Sequence, residues 1–108
     1  MKTLKFAPEL VLLVLSGEKT STWRLFDDKD LQVGDELSLV NKMTGGEFAQ
    51  AKIVTVREKT LAQIDEADFD AGHERYESKE KMLAAFQSCY GDSVTMDTLV
   101  KLIKFELI

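Results

Sequence analysis

Cysteine and histidine are nearly absent from this sequence, with Cys89 and His73 the single example of each. One cysteine excludes an intrachain disulfide, and one of each supplies too few soft ligands for a structural zinc site. A reducing, cytoplasmic setting is the expectation that follows. Long apolar runs are also lacking. The longest, "LVLLVL" at 10–15, falls far short of the roughly 18 residues that a membrane helix needs, so no membrane partner is expected. Charge and a proline interrupt the apolar residues of "MKTLKFAPEL", unlike a signal peptide. No Pro-, Gly- or Ser-rich linker divides the 108 residues, and one domain spanning 1–108 is expected. Surplus positive charge is missing too: the formal net charge is −5. Proteins that hold long nucleic acids by counterion release carry a basic surface, so no DNA partner is expected. A small substrate fits the balance better, with a local basic mouth available from Lys19, Arg24, Lys29 and Lys42.

What is present reads as alternating strands and helices. "TLKF" at 3–6 suits a short strand. Pro8 suits the first position of a helix, where its missing N–H is not needed, and Gly17 suits the residue past the helix end. "PELVLLVLS" between them is apolar nearly all round, which predicts a short, deeply buried helix. "TSTWRL" is β-branched and aromatic, and predicts a strand. A turn at Gly34-Asp35 opens a hairpin of Glu36–Asn41 and Glu47–Val56 around the Gly45-Gly46 turn. An acidic connection follows, with one helical turn near Leu61–Ile64. Ser78 caps a second helix whose apolar face is Met82, Leu83, Phe86 and Cys89 or Tyr90, and Gly91 ends it. "TLVKLIKFELI" is a final strand whose alternation slips at Leu102-Ile103, as a β-bulge would produce. The expected class is α+β: a small, mostly antiparallel β-barrel of about five to six strands with two main helices.

One stretch carries chemistry-bearing side chains at useful spacing. In "GEKTSTWR", 17–24, strand alternation puts Thr20, Thr22 and Arg24 on one face and Ser21 and Trp23 on the other. Lys19 stands at the corner between helix and strand. Threonine becomes a nucleophile only when a base takes its proton. Lysine becomes that base only when burial or a neighbouring cation lowers its pKa. Arg24 could supply that cation or bind an anion, and backbone N–H groups of the Gly17 turn could hold an oxyanion. Glu74, in "AGHERYESKE", could act as a general acid if enclosed. Its neighbours Glu66, Asp68, Asp70 and Glu77 approach the spacing of a calcium loop, but Ala71 stands where that loop needs glycine, so no metal site is expected. Cys89 reads as a small buried apolar residue. No Gly-rich phosphate loop or metal-ligand cluster suggests a cofactor.

These residues resemble the ASCH family, whose domains share a PUA-like barrel. The resemblance lies in "LSGEKTSTWR", "LQVGDELSL", "GHERYESKEKMLAAFQSCYGD" and "LVKLIKFELI", which together cover nearly the whole chain. The first matches the family pattern G-x-K-T-x-T-x-R. Some small members are amidohydrolases that act on N4-acetylcytidine. The resemblance implies Lys19 as proton acceptor, Thr22 as nucleophile and Glu74 as proton donor, with Glu77 the rival for the last role. Arg24 and Thr20 are the expected substrate-binding residues. Trp23 and the longer acidic connection depart from the amidohydrolase pattern. Other members bind or cleave RNA, so the expected partner is a small nucleoside, with RNA as the alternative.

Overall fold

A computed structural model of the chain describes residues 1–26, 29–69 and 76–108. The elements in order are β1 (Lys2–Phe6), α1 (Pro8–Leu15), β2 (Ser21–Leu25), β3 (Glu36–Asn41), β4 (Glu47–Thr60), α2 (Lys79–Tyr90) and β5 (Leu99–Leu107). Two short 3-10 turns, Leu61–Gln63 and Glu66–Asp68, follow β4. The strands form one sheet in the order β1-β3-β4-β5-β2. β1 runs parallel to β3 and the other pairs are antiparallel. The sheet curls into a half-barrel, so the α+β expectation holds.

The order has one consequence for everything below. β1 and β2 are the two edge strands, although only α1 separates them in sequence. The half-barrel therefore has an open seam between them. The Arg24 guanidinium reaches across it and donates from Nη2 to the Lys5 carbonyl at 3.2 Å. The same guanidinium carbon lies 5.4 Å from the centre of the Phe6 ring, a cation–π contact that adds to the tie.

Two apolar clusters cover the two faces of the sheet. The inner one includes Leu4, Phe6, Leu37, Leu39, Ile53, Ile103 and Phe105. The outer one packs Trp23, Leu25, Val100 and Leu102 against Met82 and Phe86 of α2. β5 serves both, which explains its apparent slip. Val100 and Leu102 face outward, Ile103 and Phe105 inward, and all four are buried. The predicted bulge on β5 is therefore on its partner. Ile53 pairs with Phe105 and Thr55 with Lys104, leaving Val54 as the extra residue of β4. A second shift leaves Phe48 extra opposite Leu39 and Val40. Such extra residues bend a strand and raise its twist. The one at Val54 also changes which parity points inward, so that Ile53 and Val56 both reach the inner cluster.

α1 begins with Pro8 at its first turn and ends as expected, but it is not deeply buried. Only Val14 is buried, with Leu10 packed on the same cluster one turn earlier. Leu12 is 75% exposed and Leu15 is also exposed. A helix that bridges the seam of a half-barrel touches the core along one stripe, and the opposite stripe has no second layer over it. α2 starts at Ser78, whose Oγ accepts from the Lys81 N–H at 3.2 Å. Cys89 is exposed, because Met82 and Phe86 alone carry the buried stripe at its i, i+4 spacing. No helix among the described residues is long and apolar enough to cross a membrane.

Candidate functional site

The corner between α1 and β2 is held by the end of the helix. Gly17 has φ +83°, a conformation that costs other residues strain, and a Cβ there would meet nothing within 4 Å. The turn lets the Gly17 N–H reach the Val14 carbonyl at 3.1 Å and the Lys19 N–H reach the Leu13 carbonyl at 3.0 Å. The Ser16 hydroxyl also donates to Leu13. The Leu13 and Val14 carbonyls of the last turn of α1 are thereby satisfied, and the Lys19 main chain is fixed against the helix. Those amides are consequently committed. The expected oxyanion site at the Gly17 turn is not formed by the Gly17 and Lys19 N–H groups.

Lys19 and Thr22 are both buried, at 5% and 6% exposure. They open into one cavity of about 290 Å³ at the seam. That volume lies near the small end of the range for ligand pockets. Arg24 and Lys42 join them, and Tyr76 and Phe86 form an aromatic wall, their ring centres 6.3 Å apart. Lys42 is placed by its N–H, which donates to the Phe6 carbonyl at 2.8 Å. The structure thus brings Lys19, Thr22 and Arg24 together, as strand alternation and the helix-end corner predicted.

Other expected site residues fall elsewhere. Thr20 does not line this cavity. It lies before β2 begins, its carbonyl accepts from the Phe105 N–H at 3.0 Å, and its neighbour is a different concavity on the outer face. Trp23 was expected to face away from the site. Its side chain does belong to the outer cluster, stacked near Phe86 at 6.2 Å, yet it lines both concavities because β2 is an edge strand. Lys29 lines a neighbouring depression with Lys5 and Arg24 instead. Glu74 and His73 lie outside the described residues. Glu77 is exposed and does not line the cavity. Lys5 and Tyr76 were not anticipated. Lys5 enters only because the sheet order sets β1 opposite β2, and no local pattern in the sequence signals that.

The outer concavity is larger, about 650 Å³, and of its charged residues Arg57 and Asp68 are bound to each other. The Asp68 side chain there, 1% exposed, accepts from Arg57 Nη2, Lys59 Nζ and the Asp65 N–H, each at 2.9 Å. Burial pushes the Asp68 carboxyl up, but the Asp65 N–H, Lys59 and Arg57 outweigh it and leave the pKa below the ordinary value. Asp68 is thereby used as a structural anchor for the acidic loop. Among the described residues, no cluster of His, Cys, Asp and Glu could hold a metal.

No protein-family profile matches the chain, and no curated protein matches it. Solved structures do. An Enterococcus faecalis protein described as DUF984 is similar over 93% of this chain and 70% of its own, at 21% identity and a TM-score of 0.73. An ASCH domain from Lactobacillus crispatus is similar over 92% of this chain and 70% of its own, at 20% identity and a TM-score of 0.70. A Pyrococcus furiosus protein solved in solution covers 99% of this chain and 96% of its own, at 18% identity and a TM-score of 0.65. The likeness shows a shared architecture: the chain has the PUA-like fold of the ASCH domain.

Proposed function

We propose that this ASCH-like domain is an amidohydrolase that removes the acetyl group from N4-acetylcytidine or a related acylated nucleoside. The observation that carries the reading is the burial of Lys19 and Thr22 in one cavity. A buried lysine beside a buried threonine is a costly pair to keep in a core and a useful one for acyl transfer. Base work needs a neutral amine, which water-poor surroundings and neighbouring cations favour.

In the proposed sequence, Lys19 Nζ takes the Thr22 hydroxyl proton as Oγ1 attacks the acetyl carbonyl carbon. Arg24 stabilises the oxyanion that forms. Glu74 protonates N4 as the C–N bond breaks, and cytidine leaves. Water then attacks the acetyl ester on Thr22 and gives its proton to Glu74, which restores the acid. Acetic acid departs as the Thr22 oxygen recovers its proton from Lys19, and it releases its own proton to the solvent. Released cytidine, measured after incubation with N4-acetylcytidine, tests the reaction. The wild type should turn over and Thr22→Ala should not. No turnover by the wild type, or equal turnover in both, refutes it.

A second reading, a non-enzymatic RNA-binding module, is favoured by the cations Lys5, Lys19, Arg24 and Lys42 around one cavity of a protein with net charge −5. It predicts RNA affinity that falls steeply with salt and depends on Lys19 and Arg24. A ribonuclease variant of this reading predicts degradation of labelled RNA, lost in Lys19→Ala.

A further inference from the structure

We infer that the occupant of the Lys19–Thr22 cavity carries a phosphate, and that the ligand class is a nucleoside monophosphate rather than a free nucleoside. This rests on the site proposed above, but on different residues of it. Lys5 and Lys42 stand exposed on its rim, one on β1 and one just past β3. Neither ammonium forms an ion pair with a described residue.

Other exposed lysines, Lys52 and Lys81 among them, likewise meet no acid among the described residues, but Lys5 and Lys42 are the two that line one small cavity together with Lys19 and Arg24. Among the described residues lining the cavity, none is acidic. Two unmatched ammonium groups at the mouth of a small cavity suit a compact dianion, which they attract as point charges.

The interior suits a planar ring. Tyr76 is half-buried in the wall with Phe86 behind it, and Trp23 closes the side. Aromatic walls of this kind stack bases without reading their sequence. The cavity is too small for several nucleotides, and two rim lysines do not make the extended basic track that a polymer needs. Base inward and phosphate outward is the pose these groups support.

Trp23 is the single tryptophan and lines the cavity, so its fluorescence reports on binding directly. The experiment titrates cytidine, cytidine monophosphate, inorganic phosphate and a short oligocytidylate at low salt. The monophosphate should bind on the order of tenfold tighter than cytidine, as two Coulomb contacts in water would give. The advantage should shrink as salt is raised. It should fall to about one in the double variant Lys5→Gln, Lys42→Gln, and persist in Lys52→Gln, a surface control on β4. Equal affinity for cytidine and its monophosphate overturns the inference, as does an advantage untouched by the double variant. Oligocytidylate binding far more tightly than the monophosphate overturns it too. These outcomes are separate from hydrolysis. A protein that prefers the monophosphate and hydrolyses nothing keeps this inference and loses the amidohydrolase, and the reverse pattern does the opposite.

Discussion

Two polar clusters lie on either side of β2, and they are built on opposite rules. Around Asp68, one buried carboxylate receives two cations and a backbone N–H, all at 2.9 Å. Its cations keep contact with water, at 56% and 24% side-chain exposure for Arg57 and Lys59, so only the acid is desolvated. At the seam, the buried groups are a lysine and a threonine, and the two rim lysines meet no described acid. The first arrangement satisfies itself. The second gathers four cationic side chains, Lys5, Lys19, Arg24 and Lys42, around one small cavity. A buried carboxylate among cations marks the one, and a buried lysine beside a hydroxyl marks the other. The larger concavity belongs to the anchor.

The contrast is broken most directly by removing the seam groups without changing their shape. Lys19→Met and Thr22→Val should each lower turnover of N4-acetylcytidine on the order of 10⁴-fold, the scale seen when one member of a catalytic unit is lost. Thr22→Val should change stability in urea by no more than about 1 kcal/mol, and Lys19→Met by about 1 to 3 kcal/mol, because it strips a polar partner from its neighbour. A large loss of stability with activity retained would invert the assignment.

Asp68→Ala should do the reverse. Losing the acceptor of hydrogen bonds from three groups should cost about 2 to 3 kcal/mol in urea unfolding and leave turnover unchanged. The same carboxylate sets an acid limb. Its folded pKa lies below the unfolded value of about 3.8, so its contribution is present above that pH and is lost as pH falls through the folded value. Asp35 behaves likewise, held down first by the Lys2 hydrogen bond and then by the Gln32 N–H. Unfolding followed from pH 6 to pH 2 should show this decline, and Asp68→Asn should make it shallower.

Gly17→Ala should cost about 1 kcal/mol, because the φ of +83° is disfavoured while the added methyl meets nothing. It should lower turnover more than its stability effect explains, since that turn aims Lys19. At the small end, Leu12→Ser should move stability by no more than about 0.5 kcal/mol, as expected for a residue with no packed neighbours on its side.

Much of this was legible in the sequence because the signals were local. Pro8 and Gly17 bracket α1, Ser78 and Gly91 bracket α2, and the Gly45-Gly46 turn sets the hairpin. Alternation in a five-residue strand placed Thr22 and Arg24 correctly. The misplacements share one cause, which is that the neighbours of an element are set at long range. An all-apolar helix looked buried, but nothing in its sequence says that it bridges a seam. Two faces of β5 looked like a slip because both are covered, and the bulge that fits it is on β4. Trp23 and Lys5 reach the cavity only because β1 and β2 are opposing edges of one sheet.

The central claim is that Thr22 is the nucleophile of an acyl transfer. Its most direct test is peptide mass spectrometry of enzyme quenched during turnover of N4-acetylcytidine. The account predicts an acetyl group on the peptide that contains Thr22, absent from Thr22→Val. Steady hydrolysis with that peptide unmodified, and undiminished in the variant, would contradict it.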